Sequence, residues 1–277
     1  MANNTINYQS IYSTQIHLNS YNADIFMNKT KKSNVVFFFN DTNQASKNVI
    51  EMRISVVNAQ IPCSWYLIND SNNCITITLS GIDTTFYFPV GNYNVNTFIT
   101  QWYITMGQTW LITFDNKTNK FTFSNTLGQF TFSDGLNSIY EIIGFIKGNA
   151  YTTSGNYITS MYSVNFGGLS RINIESSTFT IKNVDSYSKG ITNTLVAIPV
   201  NCSQSGYIYY NNFTNFKSVF KNFALSSINI EIMDDKNNYI DFNNLDWTMT
   251  LQIDMVHEIV ENFDSLEDVY KNQHQEL

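Results

Sequence analysis

Five aspartates in the last quarter of the chain have the residue type best suited to chemistry: Asp234, Asp235, Asp241, Asp246 and Asp254. Two carboxylates at a suitable separation can cleave a glycosidic bond, and sandwich folds can host that reaction. The run from Asp235 to Asp246 also has part of the spacing of a calcium-binding loop. However, Ile240 stands where such a loop requires Gly, and its twelfth position is not Glu. Because carboxylates in an acidic turn are usually solvated loop residues, we predict a hairpin connection here.

The histidines do not form a motif for metal binding or nucleophilic catalysis. His17, His257 and His274 lie near the two chain ends, and the sequence contains no HxH or HExxH spacing. It also contains no GxSxG elbow and no glycine-rich phosphate loop of the GxGxxG or GxxxxGK(S/T) type. We therefore expect no catalytic, cofactor-binding or metal-ligating residues, and no enzyme.

The three cysteines are Cys63, Cys74 and Cys202. Cys63 and Cys74 could meet across a loop. An odd number of cysteines without CxxC spacing favours reduced, packed thiols in a reducing compartment. The sequence alone does not decide whether any two of the three pair.

The composition excludes two classes of function. Of the 277 residues 43% are hydrophobic, 15% aromatic and only 13% charged, with a net charge of −7 and just two arginines, Arg53 and Arg171. Such a chain cannot neutralise phosphates, so we exclude nucleic-acid binding. The longest apolar runs, 35–39 and 195–200, are far shorter than the about 20 residues of a membrane-spanning helix, so we expect no membrane span. The polar, uncharged start is not a secretory signal.

The polar half of the sequence is dominated by Asn, Ser and Thr, which together with many aromatics favour strands and turns over helices. The first 33 residues carry no helical or strand period. We interpret 1–33 as an extended N-terminal arm, which either orders against a neighbouring subunit or is a loose terminus. The last 20 residues, 258–277, are acidic, and we predict a tail or a short helix there.

Strands are predicted on both sides of the middle of the chain. Residues 35–39 are apolar on both faces, and alternation from Ile50 onward predicts a long strand that ends near Pro62. After residue 168 only strands follow. The clearest are the alternating runs 228–232 and 247–255, which predict an antiparallel pair with one buried face. This pattern favours a β-sandwich or a jelly roll.

Residues 73–146 form a unit of their own in the order β-β-α-β-β-α. Asn94 is predicted to cap its first helix, and Asp134 to cap a second, short helix that ends at Gly144. The glycine- and serine-rich run 147–168 is predicted as a loop. Because the ends of such a compact unit can lie close together, we expect an inserted domain.

Several stretches of the chain resemble the minor capsid and penton proteins of virophages, polinton-like viruses and nucleocytoplasmic large DNA viruses. They are SVVNAQIPCSWYLI at 55–68, FYFPVGNYN at 86–94, IGF at 143–145, and the final pair INIEIMDD at 228–235 with YIDFNNLDWTMTL at 239–251. The resemblance spans about residues 35–257. The Asn-, Ile-, Tyr- and Lys-rich usage is similar to that of AT-rich virophage genomes.

The resemblance implies an all-β fold, a single jelly-roll β-sandwich with an inserted mixed β-β-α-β-β-α subdomain. The jelly roll would comprise 34–62 and 166–257, and the outward-facing insertion 63–165. It further implies a structural virion protein that forms homopentamers at the five-fold vertices of an icosahedral capsid and contacts the double-jelly-roll major capsid protein. The protein would be located in the virion, assembled in the cytoplasm of the infected host cell. No cofactor and no catalytic residue are implied.

An alternative function is a lectin-like or host-attachment module on the virion surface. Aromatic side chains such as Trp65, Tyr151, Tyr157 and Tyr209, if exposed, could stack on a host surface glycan, mainly through the insertion. Aromatics of this kind more often belong to a core or to a subunit interface. A glycoside-cleaving enzyme is a distant third possibility.

Overall fold

The computed structural model of the chain describes residues 4–44, 49–179, 181, 183–184, 189–220 and 224–263. Its strands and helices, in chain order, are β1 (Asn4–Asn19), β2 (Ile25–Phe26), β3 (Asn34–Gln44), β4 (Val49–Pro62), β5 (Cys74–Leu79), β6 (Ile82–Tyr87), α1 (Val95–Met106), β7 (Trp110–Asp115), β8 (Lys120–Asn125), β9 (Phe130–Ser133), α2 (Tyr140–Ile143), β10 (Ala150–Thr152), β11 (Tyr157–Thr159), β12 (Arg171–Glu175), β13 (Asn183–Val184), β14 (Ile191–Thr192), β15 (Thr194–Pro199), β16 (Tyr207–Asn211), β17 (Ser218–Phe220), β18 (Ala224–Met233) and β19 (Thr248–Phe263). No helix in these described ranges is long and apolar enough to cross a bilayer.

The chain divides into two compact units. One unit combines Met1–Ser64 with Leu169–Leu277, and the other is the continuous stretch Trp65–Gly168 between them. We call them the sandwich and the inserted unit. Their bounds differ by only a few residues from the domain limits proposed from the sequence, 63–165 for the insertion.

The sandwich is an all-β jelly roll built from two antiparallel sheets. The β1 sheet has the order β1-β19-β4-β16, with β17 also paired to β4, and the β3 sheet has the order β15-β12-β18-β3-β2. Alternating apolar residues from both sheets face inward and are buried: Met52, Ile54, Val56, Ile172, Ile174, Ile228, Ile230, Ile232, Leu251 and Ile253. Because successive side chains of a strand point to opposite faces, this alternation buries one face of each strand.

The N-terminal segment differs from the predicted extended arm. Residues 4–19 form β1, which pairs with β19 over its whole length, from Asn4 opposite Phe263 to Asn19 opposite Thr248. An edge strand needs few apolar residues because the backbone ladder and one partner hold it. Of its described side chains only Leu18 is fully buried, which explains why the sequence period is weak.

The C-terminal and loop predictions also need correction. β19 continues to Phe263, so the first part of the predicted tail 258–277 belongs to a strand, and residues 264–277 lie outside the described residues. The predicted loop 147–168 contains β10 and β11. β10 pairs with β9 and β11 pairs with β8. Each has only three residues, so its alternation of apolar and polar residues is too short to be recognised in a polar stretch.

The inserted unit contains two small sheets, β10-β9-β5-β6 and β11-β8-β7, together with both helices. The predicted order β-β-α-β-β-α is present, with β9, β10 and β11 added. Its core is mainly aromatic, with buried rings from helices, strands and connections: Phe88, Phe98, Trp102, Trp110, Phe121, Phe123, Phe130, Phe132, Tyr140 and Phe145.

The predicted cap of the first helix is confirmed and that of the second is wrong. The Asn94 side chain accepts a hydrogen bond from the Thr97 backbone N–H at 3.0 Å, and Thr97 returns one, which completes a capping box. The second helix begins after Ile139 with no side-chain cap, and it ends at Gly144 in the left-handed conformation. Asp134 instead accepts a hydrogen bond from the backbone N–H of Gly148, across the α2 connection.

Candidate subunit interface

The predicted antiparallel pair of 228–232 with 247–255, joined by a hairpin, is wrong: β18 pairs with β3 and β12, whereas β19 pairs with β1 and β4 in the other sheet. The acidic connection crosses from one sheet to the other, because alternation along the chain predicts strands but not their partners. It begins with a tight turn, closed by an isolated bridge between Met233 and Tyr239.

Asp234 accepts hydrogen bonds from the backbone N–H groups of Lys236 and Asn238, both at 2.8 Å, and Asn237 adopts a positive φ of 62°. Asp241 accepts one from the backbone N–H of Asn243 at 2.9 Å. These carboxylates therefore shape turns.

Asp246 lies at the centre of a polar cluster that ties the start of the chain to its end. One carboxylate oxygen, Oδ1, accepts from Lys32 Nζ and from Ser20 Oγ, each at 2.8 Å. Lys32 Nζ also donates to the Asn244 carbonyl oxygen at 3.0 Å, and the Trp247 indole N–H donates to the Lys32 carbonyl oxygen at 2.8 Å. The buried Trp247 and this ion pair therefore position the connection after β1 against the start of β19.

Asp254 is held in the β1 sheet by three donors. Its side chain is only 1% exposed. It accepts from Ser13 Oγ at 2.6 Å, from Gln252 Nε2 at 2.8 Å and from Lys217 Nζ at 2.5 Å. Burial would raise the pKa of the Asp254 carboxyl, but the hydrogen bonds from Lys217, Ser13 and Gln252 outweigh it and hold the pKa below its ordinary value. The group joins β1, β19 and Lys217, the residue before β17, and has a structural role.

The histidines and metal-binding residue types stay apart. His17 Nδ1 lies 3.0 Å from Thr250 Oγ1, and His257 packs edge-on against Tyr12 with ring centroids 5.0 Å apart. His274 lies outside the described residues. Within the part of the chain that the structure describes, no three His, Cys, Asp or Glu side chains form a group that could hold a metal ion.

One side of the sandwich carries exposed apolar residues along two strand edges. β1 is the outer strand of its sheet, β2 is the outer strand of the other, and residues 20–24 connect them. We call this the β1–β2 side. Its exposed apolar side chains are Ile11, Tyr12, Tyr21, Ile25, Met27 and Phe38. The Phe38 backbone N–H donates to the Asp24 carboxylate at 2.7 Å, so Asp24 blocks strand addition at that point of β3.

The opposite side of the sandwich carries a second set. β16 and β17 form the other edge of the β1 sheet, and β15 forms the corresponding edge of the β3 sheet. We call this the β15–β16 side. Its exposed apolar side chains are Tyr207, Tyr209, Phe213, Phe216 and Val219. Phe213 is 89% exposed, although isolated proteins usually leave few aromatic rings so open to water.

A cleft of about 470 Å³ also lies on the β15–β16 side. Arg171, Asn173, Thr192, Tyr210 and Phe216 contribute to its lining. Arg53 is paired with Glu51, whereas the Arg171 side chain forms no hydrogen bond or ion pair with any residue that the structure describes. Burial raises the pKa of the Tyr210 hydroxyl, so this phenol stays neutral and can donate a hydrogen bond into the cleft.

The aromatics singled out from the sequence have different environments. Tyr157 and Tyr209 are exposed, as the sugar-stacking hypothesis requires, and Trp65 is half-buried. Tyr151 is not exposed in the required way, because its ring packs on Phe145 at 4.9 Å within the aromatic core. The sequence analysis missed Phe213 and Phe216. Phe213 lies between two turn-forming asparagines, Asn212 and Asn215, and Phe216 directly follows Asn215; this turn is the signal that could have marked both rings as exposed.

Comparison with solved structures finds similarity to the mavirus penton protein in its crystal structure. The identity is 12% and the TM-score 0.44, over 92% of this chain and 100% of that chain. A chain in the cryo-EM structure of the Sputnik virophage is similar at 10% identity and a TM-score of 0.38, over 91% of this chain and 97% of that chain. No protein-family model and no curated protein matches this chain.

Proposed function

We propose that this chain is a structural subunit of a viral capsid that assembles side by side with copies of itself. The observation that carries the proposal is the pair of exposed apolar sets on opposite sides of one sandwich. Apolar patches of this kind on a polar surface are typical of protein–protein contacts. The sequence resemblance of segments 55–68, 86–94 and 228–251 to penton and minor capsid proteins supports the same role.

The two sides differ in structure, and this difference favours one type of contact. The β1–β2 side presents a long edge strand, whereas the β15–β16 side presents short strands and aromatic turns. Unlike surfaces favour a head-to-tail contact, in which one side of a subunit meets the opposite side of the next. Head-to-tail contacts close into a ring when the rotation between subunits is a whole fraction of a turn.

We assign five copies to this ring, located at the capsid vertex, on the sequence resemblance. In this proposal the ring contacts the major capsid protein of the same virus, and the chain is located in the virion after assembly in the host cytoplasm. The jelly roll of 34–62 and 166–257 forms the ring, and the insertion 63–165 faces outward. The chain has a structural role and no enzymatic one.

The assembly state tests this proposal. We expect native mass spectrometry of the purified chain, alone or mixed with the major capsid protein, to give five copies. Ile11→Asp with Tyr12→Asp, on the β1–β2 side, should abolish the ring, because burying unpaired carboxylates in an apolar contact is unfavourable. Tyr209→Asp with Phe213→Asp should do the same on the other side. Ile104→Asp, an equally exposed position in the inserted unit, is the matched control. The proposal would be contradicted if the wild-type chain were a monomer both alone and mixed with the major capsid protein.

The Arg171 cleft favours a second candidate function, binding of an acidic host glycan. A guanidinium that has no partner among the described residues can take a carboxylate in a two-pronged contact, and Tyr210 and Phe216 supply ring surface beside it. Because the cleft lies on the β15–β16 side, glycan binding and ring contact compete for the same surface.

A glycan array distinguishes the two functions. If the cleft binds glycans, carboxylated glycans should be retained and their neutral counterparts should not. Arg171→Gln should remove that binding, while Lys189→Gln, on the nearby β13–β14 connection, should keep it. Retention of neither glycan class would eliminate this candidate and leave the ring proposal intact.

A further inference from the structure

Two cysteines that are distant in sequence meet at one end of β4. Cys63 directly follows β4, and Cys202 lies in the connection between β15 and β16. The Cys63 backbone N–H donates to the Gly206 carbonyl oxygen at 2.8 Å, and the Cys63 carbonyl oxygen accepts from the Ser205 N–H at 2.9 Å. These two hydrogen bonds fix the backbone of Cys63 against the loop that carries Cys202.

The loop itself is folded so that the Cys202 side chain lies beside the same backbone. The Gly206 N–H donates to the Ser203 carbonyl oxygen at 3.0 Å. A Cβ atom at Gly206 would lie 3.4 Å from Cys202 Cβ and 3.9 Å from its Sγ. The turn therefore packs the Cys202 thiol against Gly206, the residue whose carbonyl oxygen accepts the hydrogen bond from Cys63.

These backbone bonds and the packing at Gly206 bring the two cysteines together at the end of β4. Cys63 is buried and Cys202 is half-buried. Burial, together with the neighbouring Cys202, raises the pKa of the Cys63 thiol to about 12, so Cys63 is protonated and screened from solvent near neutral pH. Cys202 is therefore the thiol that an external reagent meets first.

Cys74 provides the internal contrast. It belongs to the inserted unit, and its Sγ–H contacts the carbonyl oxygens of Leu136 at 3.0 Å and Asn137 at 3.2 Å. Burial also raises the pKa of this thiol. Its contacts are carbonyl oxygens, with which a sulfur cannot form a covalent bridge.

We propose that Cys63 and Cys202 are a site of disulfide formation, closed by a small-molecule disulfide such as oxidised glutathione. The Cys202 thiolate attacks one glutathione sulfur, which breaks the glutathione disulfide, forms a mixed disulfide on Cys202 and releases one glutathione thiolate. Cys63 then loses its proton to water and attacks the Cys202 sulfur, releasing the second glutathione. Two protein thiols are oxidised and one glutathione disulfide is reduced to two thiols.

The bridge closes a chain loop of roughly 140 residues, which contains the whole inserted unit, and so restricts the unfolded chain strongly. The site concerns the sandwich alone and does not depend on the proposed assembly. We expect the oxidised chain to melt about 5–10 °C above the reduced chain.

The test is disulfide mapping of the purified full chain after incubation with oxidised glutathione. Chymotrypsin is the suitable protease, because trypsin leaves Cys63 and Cys74 in one peptide whereas cleavage after Trp65 and Tyr66 separates them. We expect a peptide that links Cys63 to Cys202, one remaining free thiol on Cys74, and a raised melting temperature. Dithiothreitol should reverse all three.

Serine variants supply the controls. Cys74→Ser should form the same bridge at the same rate. Cys63→Ser should stop at the mixed disulfide, so that Cys202 keeps one glutathione. The inference is overturned if the native wild-type chain retains three free thiols after oxidation, if glutathione accumulates on wild-type Cys202, or if the linked peptide contains Cys74. The wild-type mapping decides the question even where a variant does not fold.

Discussion

The sandwich and the inserted unit are stabilised in different ways. The inserted unit packs rings on rings, with centroids 4.7 Å apart for Trp102 with Phe123 and for Trp110 with Phe130. The sandwich buries mostly aliphatic side chains between its two sheets, and the residues that contact each other there lie far apart in sequence. The hydrogen bond from Ser13 to Asp254, for example, spans 241 residues. The inserted unit therefore has a local core of its own, whereas the sandwich closes only when both chain ends meet.

The polar clusters of the sandwich follow from that long-range closure. A strand that slips by one residue exposes its apolar face, so register must be specified. Asp246 with Lys32 and Asp254 with Ser13 and Lys217 each connect β19 or its approach to a distant segment at a single register. We infer that directional contacts define the sandwich, while ring packing defines the inserted unit.

The largest expected effect is the loss of a central ring. Trp102→Ala should cost the inserted unit about 3–5 kcal/mol of unfolding free energy, because a large cavity replaces a fully buried indole. Hydrogen exchange resolved by mass spectrometry should show lost protection within 65–168 only. Trp247→Ala should produce the opposite map, with loss confined to the sandwich. Equal loss in both units for either variant would refute two separate cores.

Replacement of a buried carboxylate should have the next largest effect. Asp254→Asn should cost the sandwich about 1–3 kcal/mol at neutral pH, because it removes the charge that Lys217 faces. The lowered pKa of Asp254 means that its stabilisation is present above the unfolded value of 3.8 and is lost as pH falls through the lower folded pKa.

Urea unfolding measured from pH 7 to pH 2 checks this. The wild-type sandwich should lose stability below about pH 3.8 more steeply than Asp254→Asn. Identical pH profiles for the two chains would show that Asp254 does not carry the acid sensitivity.

A smaller effect is expected at the cap of α1. Asn94→Ala removes the bond to the Thr97 N–H and should cost the inserted unit about 1 kcal/mol. Asn96→Ala, inside the same helix and exposed, is the matched control and should be neutral or slightly favourable. Thermal melts followed by circular dichroism would measure both, and equal losses would argue against the cap.

The smallest effect is expected from a hydroxyl in the aromatic core. Tyr140 is fully buried, and its hydroxyl has no hydrogen-bond partner among the described residues. Tyr140→Phe removes an unpaired polar group, so we expect a gain of up to about 1 kcal/mol in unfolding free energy. A loss of more than about 1 kcal/mol in urea titration would mean that the hydroxyl is satisfied.

Local signals in the sequence predicted local structure. The alternation in 228–232 and 247–255 gives β18 and β19, and Asn94 begins α1. β1 was not predicted, because backbone pairing with β19 holds this edge strand and its side chains show no clear alternation. The proximity of Cys63 to Cys202, like that of Lys32 to Asp246, is set by strand order and by no pattern along the chain.

The proposed interface could be predicted only in part. Asn, Ser and Thr dominate the polar half of the sequence, and this composition suits a contact surface, since neutral polar groups cost less to desolvate than charges. Which apolar residues remain outside depends on which strands are edges, and that is a property of the sheet order. Tyr209 was identified from its type, whereas Ile11 and Tyr12 required the position of β1.

A mixing experiment tests head-to-tail assembly most directly. A subunit carrying Ile11→Asp with Tyr12→Asp keeps an intact β15–β16 side, and one carrying Tyr209→Asp with Phe213→Asp keeps an intact β1–β2 side. Under the condition in which the wild-type chain gives rings of five, native mass spectrometry of the equimolar mixture should show one-to-one dimers of the chain and no larger ring. Full rings from the mixture, or from either variant alone, would contradict the account.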